Sequence, residues 1–499
     1  MKVLIICTEK LPNPPIKGGA IQTYIAGAIP ILSKNHQITI LGTNDPKLPH
    51  EETIDGVHYV RVPGKLLETY RKGVATYVRE NRFDLIHIFN RPRLVSAVHD
   101  VAPNSRIILS MHNDMFKKEK IEQEEAKKAI NCLDKIITIS NYIGEEIVKF
   151  YPEAKSKIQT IYSGVDLKRF VPVFTEMGQK LGNSIRKEHN LESKKIILFA
   201  GRLSANKGSD VLIHAIHELA KNHPDIALVV IGGRGFSDNR MSDYIAYLRA
   251  ITYRFPVPVI TPGFVNPGQI QNWFAAADIF VCPSQWEEPL ARVHYEAMAA
   301  GLPIITTARG GNPEVIEVNK NGVIVEKPED PMEFVKHLTK LLSNPSLCRE
   351  MGQYGRRFVE RKHSWHRVVS DISQVWDEIR TRIENNTATA NISLINEEKQ
   401  NLNENKSEQT LQITEEEVQG HEKKLNDSLE ESTEVEDDQT VQDKMKKDKE
   451  KNGKGKKDKG QKEKKEQYSR NKKKLPYSPF RKTRSKNLGL VKIKINIFN

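Results

Sequence analysis

Short runs rich in valine, isoleucine and leucine alternate with segments of helical periodicity over residues 1–360. Clear examples of the apolar runs are Lys2–Cys7 and Asp84–Phe89 in the first half, and Lys195–Gly201 and Ile279–Pro283 in the second. Such runs, separated by helices, are typical of parallel strands in a sheet that is covered on both faces. Because the pattern occurs twice, we predict an α/β fold of two doubly wound, Rossmann-like domains that face a cleft.

The pattern also suggests where the domains begin and end. We predict a first domain over residues 1–165, a second domain over residues 166–365, and a helix over residues 366–384 that crosses back to the first domain. In open parallel sheets, ligands bind outside the carboxyl ends of the strands. The cleft between the two domains is therefore the expected position of a site.

The net charge of +13 is unevenly distributed along the chain. Residues 391–440 hold 15 acidic and 4 basic residues, whereas residues 441–499 hold 22 basic and 6 acidic ones. Such blocks bury too little apolar surface to fold alone, so we predict that residues 385–499 form a disordered tail, acidic and then basic. No aromatic residue lies between Lys444 and Lys465, which argues against specific nucleic-acid recognition by stacking on bases.

The last residues of this tail have a different pattern. Apolar and polar residues alternate over 491–497, which is the period of a half-buried strand. One hypothesis is that residues 490–498 dock on a sheet edge, in this protein or in a partner, and the alternative is a frayed terminus.

Other parts of the composition limit where the protein is expected to act. No run approaches the roughly 18 apolar residues that span a bilayer, and the short apolar start is followed at once by Glu9 and Lys10, unlike a signal peptide. The four cysteines are scattered without metal-ligand spacing, which is typical of reduced thiols in a cytoplasmic protein. We therefore expect a cytoplasmic protein without a transmembrane segment.

The loop after the first strand contains no GxGxxG, which argues against a nicotinamide or flavin enzyme. Instead, Gly18 and Gly19 precede the first predicted helix. Two glycines there could let backbone N–H groups approach an anion, although a plain entry into the helix would give the same pattern.

Two pairs of charged residues in the second half suggest a ligand. Arg202 and Lys207 share the loop after Lys195–Gly201, where a guanidinium and an ammonium could bind a departing diphosphate. Glu288 and Glu296 stand eight residues apart, one in a loop and one in a helix, and could hold two ends of a polyhydroxylated ligand such as a nucleotide sugar. Solvated surface charges are the alternative interpretation of both pairs.

Three motifs, taken in order, resemble glycosyltransferase family 4. They are Gly201-Arg202 with Lys207-Gly208, then Glu288 with Glu296-Ala297-Met298-Ala299 and Gly301-Leu302-Pro303, and then Gly310-Gly311-Asn312-Pro313-Glu314-Val315-Ile316. The segment Ile161–Phe170 is also similar to the family's interdomain linker. The resemblance covers residues 1–380 and implies the GT-B fold and transfer of a sugar from a nucleotide-diphosphate sugar with retention at the anomeric carbon. The opening residues Met1–Tyr24 also resemble those of family members from bacterial spore coats.

The resemblance implies a role for each matching residue. Arg202 and Lys207 would bind the donor's diphosphate, and Glu296 would bind the ribose hydroxyls. Glu288 would contact the transferred sugar and support charge at the reacting carbon.

Further positions match the family outside these motifs. Gly18 and Gly19 would bring backbone N–H groups to the diphosphate from the first domain. His112 stands where the family has a histidine beside the sugar, with a capped loop histidine as the alternative. The backbone of Pro262-Gly263-Phe264 would meet the nucleobase.

The chain departs from the family pattern after Glu288. There Leu290 replaces an aromatic residue and Ala291 replaces a glycine whose N–H lies near the phosphates. Arg292 follows, either as an extra cation near the donor or as a residue that faces solvent. This departure leaves open a structural coat protein on a catalytically inactive fold, whereas the intact charged residues favour catalysis. A nucleotide-sugar epimerase would need another cleft carboxylate, which the sequence does not reveal.

The resemblance also implies how the reaction proceeds. Fixed cations, rather than a metal, would stabilise the leaving nucleotide diphosphate, so we expect no metal and no cofactor besides the donor substrate. Asp437-Asp438, in the acidic block, is interpreted as solvated charge. The expected partners are a nucleotide sugar, an unidentified glycan, lipid or protein acceptor, and spore coat proteins reached through the tail. A spore coat location is the alternative to the cytoplasm.

Overall fold

The structure is a computed structural model that describes residues 1–235 and 238–385. All of the predicted disordered tail except its first residue, including the docking strand at residues 490–498, lies outside these residues. In the described part, no helix is both long enough and apolar enough to cross a membrane.

The first domain is built on an eight-stranded sheet in the order β3-β4-β2-β1-β5-β6-β7-β8. All its pairings are parallel except that of the edge strand β3, which runs antiparallel to β4. The strands are β1 (Lys2–Ile6), β2 (Gln37–Thr43), β3 (Glu51–Ile54), β4 (Val57–Val62), β5 (Leu85–Phe89), β6 (Arg106–Met111), β7 (Lys135–Thr138) and β8 (Ile158–Thr160). The helices are α1 (Ala20–Leu32), α2 (Leu67–Glu80), α3 (Pro92–Val101), α4 (Gln123–Asn131) and α5 (Asn141–Phe150).

The second domain is built on a six-stranded parallel sheet in the order β11-β10-β9-β12-β13-β14. The strands are β9 (Lys195–Ala200), β10 (Ile226–Ile231), β11 (Val259–Gly263), β12 (Ile279–Cys282), β13 (Ile304–Thr307) and β14 (Gly322–Val325). The helices are α6 (Glu176–Glu188), α7 (Ser209–Leu219), α8 (Asp243–Ile251), α9 (Ile270–Ala276), α10 (Val293–Ala299), α11 (Pro331–Leu342) and α12 (Pro345–Lys362). Separate apolar clusters cover the two faces of this sheet.

Each sheet has a point at which its strand order reverses. In the first sheet β1 lies between β2 and β5, and in the second sheet β9 lies between β10 and β12. Such a switch point leaves a crevice at the carboxyl ends of the two central strands, where ligands of this architecture bind. The loops that follow β9 and β12 therefore lie at the expected ligand-binding edge of the second domain.

The chain crosses between the domains twice, and the two crossings lie side by side. Val165 on the outward crossing donates its backbone N–H to the carbonyl oxygen of His363 on the return, at 2.9 Å. After the return, residues 365–385 are helical (α13). The side chains of Val368, Ile372 and Trp376 on this helix are buried in the core of the first domain.

The structure confirms the predicted α/β class with two doubly wound domains, and adds three elements that the sequence patterns did not predict. These are the edge strands β3 and β8 and the helix α6. The exact domain boundaries at residues 165 and 365 remain predictions.

Candidate functional site

The loop after β9 presents two cations at the switch point of the second domain. Arg202 is exposed, and its side chain has no hydrogen-bond or ion-pair partner among the residues that the structure describes. The loop ends at Gly208, whose φ of +68° favours glycine. A Cβ there would lie 1.9 Å from the carbonyl oxygen of Pro283, so only glycine lets this loop pack against the loop after β12.

This close packing brings Lys207 to Glu288, although 81 residues separate them in sequence. The ammonium of Lys207 contacts the carboxylate of Glu288, and Ser284 donates its hydroxyl to the same carboxylate oxygen, Oε1, at 2.7 Å. Burial alone would raise the pKa of Glu288, which is 4% exposed. The positive charge of Lys207 and these hydrogen bonds outweigh burial and lower the pKa, so Glu288 is a buried carboxylate anion.

The backbone of Glu288 is fixed by the glycine pair of the third motif. Gly311 donates its N–H to the carbonyl oxygen of Glu288 at 2.8 Å. At Gly310, φ is +56° and a Cβ would lie 2.0 Å from the same oxygen. Three loops, after β9, β12 and β13, thus form one packed unit around Glu288.

Glu296 lies in the first turn of α10 beside Arg292. Their side chains form an ion pair at 3.6 Å, with both largely buried. Arg292 also donates to the hydroxyl of Ser163, at 3.0 Å, in the interdomain linker. The interpretation of Arg292 as a residue that merely faces solvent is therefore wrong.

The departure at Ala291 also has a structural consequence. Its backbone N–H donates to Oδ1 of Asn312 at 3.1 Å, and its carbonyl oxygen contacts Nδ1 of the buried His294 at 2.8 Å. His294 reaches Thr306 through its other ring nitrogen. Both backbone groups of Ala291 therefore have partners: Asn312 pairs its N–H, and His294 contacts its carbonyl oxygen.

His112 follows β6 and belongs to the first domain. Its ring packs edge-on against Tyr24, with centroids 4.8 Å apart, and its backbone N–H donates to Oδ1 of Asn90. Burial, together with the charge of Arg292 from the second domain, lowers the pKa of His112 to about 3. The imidazole is therefore neutral at ordinary pH, and it lies within electrostatic reach of Arg292 across the cleft.

The remaining predicted residues lie at the start of a helix and at the end of a strand. Gly18 and Gly19 are buried at the start of α1, and Gly19 is its N-cap. Pro262, Gly263 and Phe264 lie at the end of β11, where the N–H of Phe264 donates to Oδ1 of Asn239 at 2.7 Å.

The structure joins some of the predicted residues and leaves others apart. It brings Lys207 into contact with Glu288, while Arg202 makes no such contact and Glu296 pairs with Arg292. Within residues 1–235 and 238–385, no group of three or more histidine, cysteine, aspartate or glutamate side chains could hold a metal ion. The roles assigned to the individual residues remain predictions.

Comparison with known proteins identifies the family. The pattern described as "Glycosyltransferase Family 4" matches residues 22–169, and that described as "Glycosyl transferases group 1" matches residues 183–358. The chain is 43% identical over 380 residues to spore coat protein SA of Bacillus subtilis (strain 168), covering 76% of this chain and 100% of that protein. The chain belongs to glycosyltransferase family 4. This glycosyltransferase is thus related over most of its length to a protein named for the spore coat.

Solved structures show that the glycosyltransferase has the GT-B fold that was predicted. Sucrose-phosphate synthase from Thermosynechococcus elongatus superposes with a TM-score of 0.64 at 20% identity, covering 77% of this chain and all of that one. Anabaena HepE in complex with UDP-glucose superposes with a TM-score of 0.62 at 17% identity, covering 76% of this chain and all of that one.

Several residues at the site of this glycosyltransferase were missed by sequence reasoning. Ser284 carries a hydroxyl that could have been suspected from its place two residues after β12, whereas the contact of Arg292 with Ser163 has no local signal. Glu314 was noted only as part of a motif, without a role. The structure shows that its carboxylate contacts the first domain.

Proposed function

We propose that this glycosyltransferase moves a sugar from a nucleotide-diphosphate sugar to an acceptor, with retention at the anomeric carbon. The observation that carries the proposal is the contact of Lys207 with the buried, ionised Glu288 at the switch point of the second domain. The exposed guanidinium of Arg202 lies in the same loop as Lys207. Together they form a compact set of fixed charges at the edge of the sheet where ligands bind.

The donor would lie across the carboxyl ends of β9 and β12 and the first turn of α10. Arg202 and Lys207 would bind the diphosphate, and Glu296 would accept hydrogen bonds from the ribose hydroxyls. Lys207 and Ser284 both contact Oε1 of Glu288, and Oε2 would accept from a hydroxyl of the transferred sugar. The UDP-glucose complex of Anabaena HepE, which shares the fold, supports a nucleotide-sugar donor.

The remaining predicted residues would complete the donor site. The backbone at Pro262, Gly263 and Phe264 would meet the nucleobase, and Gly18 and Gly19 would approach the diphosphate from the first domain. Within the protein, the N–H of Phe264 already donates to Asn239 and the carbonyl oxygen of Gly263 accepts from the N–H of Gly232.

In the reaction, the bond from the anomeric carbon to the phosphate oxygen breaks, and a bond to the acceptor oxygen forms on the same face. A phosphate oxygen of the leaving group takes the proton of the acceptor hydroxyl. Negative charge grows on the diphosphate as the bond breaks, and Arg202 and Lys207 would stabilise it without reorganisation. Neutral His112 would act as a hydrogen-bond partner of the sugar rather than as a cation.

The acceptor is an unidentified glycan, lipid or protein, and the protein would act in the cytoplasm or at the spore coat. A second candidate function is a structural coat component without catalysis. The pairing of the Ala291 N–H with Asn312 favours it, because that N–H is then not free for a phosphate. Association with coat proteins through residues 385–499 remains part of this proposal.

A nucleotide-release assay separates the two candidates. The purified full chain is incubated with a panel of UDP-, GDP- and ADP-linked sugars, and the release of free nucleotide diphosphate is measured. We expect slow hydrolysis of at least one donor, together with a thermal shift by the matching nucleotide diphosphate. If no donor is hydrolysed and no nucleotide raises the melting temperature, the structural candidate replaces the enzymatic one.

A further inference from the structure

The carboxylate of Glu314 joins the two domains. Its two oxygens accept the backbone N–H groups of Asn141 and Tyr142, each at 2.8 Å, in the first turn of α5. The phenol of Tyr162, near the start of the interdomain linker, donates to Oε2, also at 2.8 Å. Glu314 follows β13 in the second domain, whereas α5 belongs to the first, so all three donors lie outside the domain that carries the carboxylate.

A second contact lies next to this one. Ser140, the N-cap of α5, donates its hydroxyl to the carbonyl oxygen of Pro289 at 2.6 Å. Pro289 directly follows Glu288, and a Cβ added at Gly311 would lie 2.9 Å from the Cβ of Ser140. The first turn of α5 therefore rests on the two loops that fix the backbone of Glu288.

The chemistry of the Glu314 contact suits a group that holds the two domains together in one orientation. The N-terminus of a helix offers unpaired N–H groups and a partial positive charge, so a carboxylate that accepts two of them is held strongly and in one orientation. Burial and the carboxylate of Glu314 raise the pKa of Tyr162, which keeps the phenol protonated as a donor. When the domains part, water can replace every one of these partners, so the contact can form and break.

We infer that Glu314 is a positioning residue that fixes the orientation of the first domain, and so of His112, against the donor site of the second domain. This inference rests on the proposed function. The first turn of α5 contacts the loops after β12 and β13, which also fix the backbone of Glu288. Closure of the two domains would therefore place His112 beside the donor site in the same step. Glu314 would not touch the donor itself.

The test compares Glu314→Ala and Glu314→Gln with Tyr162→Phe and with a control, Glu317→Gln. Gln at position 314 keeps one acceptor oxygen but cannot accept both N–H groups, and Phe at position 162 removes only one of the three hydrogen bonds. Glu317 lies three residues further on, and its carboxylate contacts Tyr354 and Lys320 within the second domain. Three quantities are measured on the full chain: amide hydrogen exchange at Asn141 and Tyr142, UDP affinity by calorimetry, and turnover of the donor found by nucleotide release.

We expect faster exchange at Asn141 and Tyr142 in both Glu314 variants, with UDP affinity little changed. Turnover should fall about tenfold or more, because misplacing a group beside the reacting centre is costly while donor binding resides in the second domain. In both amide exchange and turnover, Tyr162→Phe should lie between the wild type and Glu314→Gln. Glu317→Gln should behave as the wild type.

Two results would overturn the inference alone. One is full turnover despite faster exchange at Asn141 and Tyr142, and the other is a loss of UDP affinity that matches the loss of turnover, which would place Glu314 in the donor pocket. If the wild type neither binds a nucleotide diphosphate nor hydrolyses a donor, the proposed function fails, and the inference fails with it. Melting temperatures of all variants show whether a loss of turnover reflects unfolding.

Discussion

The ammonium of Lys207 contacts the carboxylate of Glu288 across 81 residues of sequence, with the carboxylate 5% exposed at its side chain. A buried carboxylate of this kind depends on its partner, because an unpaired buried charge is strongly unfavourable. Replacing Lys207 therefore has two effects that must be separated. It removes a positive charge from the proposed donor site, and it leaves the buried carboxylate of Glu288 without its partner. Arg202 has no such partner and gives the cleaner experiment.

Lys207→Met is expected to destabilise the fold as well as to stop catalysis. Loss of the ammonium leaves Glu288 buried and unpaired, which costs about 3–5 kcal/mol in comparable ion pairs. Burial then raises the pKa of Glu288 above its unfolded value, so the destabilisation relative to the wild type should grow as pH rises and be partly relieved at pH 5. Chemical unfolding at pH 5 and 7.5 measures this, and equal destabilisation at both would contradict the burial of an unpaired Glu288.

The double variant Lys207→Met with Glu288→Gln is the matched control for this experiment. It removes both charges, so most of the stability should return, because a neutral pair replaces a lone buried anion. Turnover should stay lost. A double variant as unstable as Lys207→Met would show that the lysine stabilises the fold by another route.

Arg202→Ala is expected to lower turnover without changing stability. Loss of one preorganised electrostatic group commonly costs about 10²–10³ in rate. The melting temperature should not move, because Arg202 is exposed and its side chain has no partner in the described structure. The control is Arg249→Ala, which removes another exposed arginine, in α8. Wild-type turnover in Arg202→Ala would show that Arg202 does not stabilise the leaving group.

Glu296→Ala is expected to weaken binding of the nucleotide diphosphate. A charge-assisted hydrogen bond to the ribose is worth on the order of 1.5–3 kcal/mol, or about 10–150-fold in affinity. Glu296→Ala also frees Arg292, which should keep its hydrogen bond to Ser163 and so limit any loss of stability. Calorimetry with UDP and GDP checks this, and unchanged affinity for every nucleotide that binds the wild type would refute the role.

The protein is expected to lose stability as pH falls from 7.5 to 5.5. Burial lowers the pKa of His87 to about 3, of His294 to about 4 and of His363 to about 3, so all three stay neutral in the fold. In the unfolded chain they bind protons below about pH 6.5. Below that pH, each histidine lowers the free energy of unfolding by about 1 kcal/mol for each unit by which the pH falls. Chemical unfolding at the two pH values measures the difference, and the same unfolding free energy at both would contradict it.

Much of the fold could be predicted because buried parallel strands are continuous apolar runs, as in β5 and β9. Two of the elements that were not predicted, β3 and α6, escaped detection for physical reasons. The edge strand β3 is Glu51-Glu52-Thr53-Ile54, largely exposed, with no apolar period to detect. Helix α6 buries only Gly178 and Gly182, and a Cβ at Gly182 would lie 2.3 Å from the carbonyl oxygen of Ala275, so close backbone packing replaces the usual apolar stripe.

The candidate site was predictable where motifs lie at strand ends, which placed Arg202, Lys207 and Glu288 at one edge of a sheet. Contacts between distant segments could not be predicted in the same way. The link of Arg292 to Ser163 spans 129 residues and that of Glu314 to Asn141 spans 173. Such pairs depend on how two domains pack, which local patterns do not encode.

The central claim, sugar transfer with retention, is tested most directly by real-time proton NMR of the full chain with the donor that it hydrolyses. The anomeric proton of the sugar reports its configuration by its coupling constant before mutarotation sets in. We predict that the freed or transferred sugar appears first with the anomeric configuration that it had in the donor. First appearance of the opposite anomer, or no consumption of any nucleotide sugar in the panel, would contradict the account.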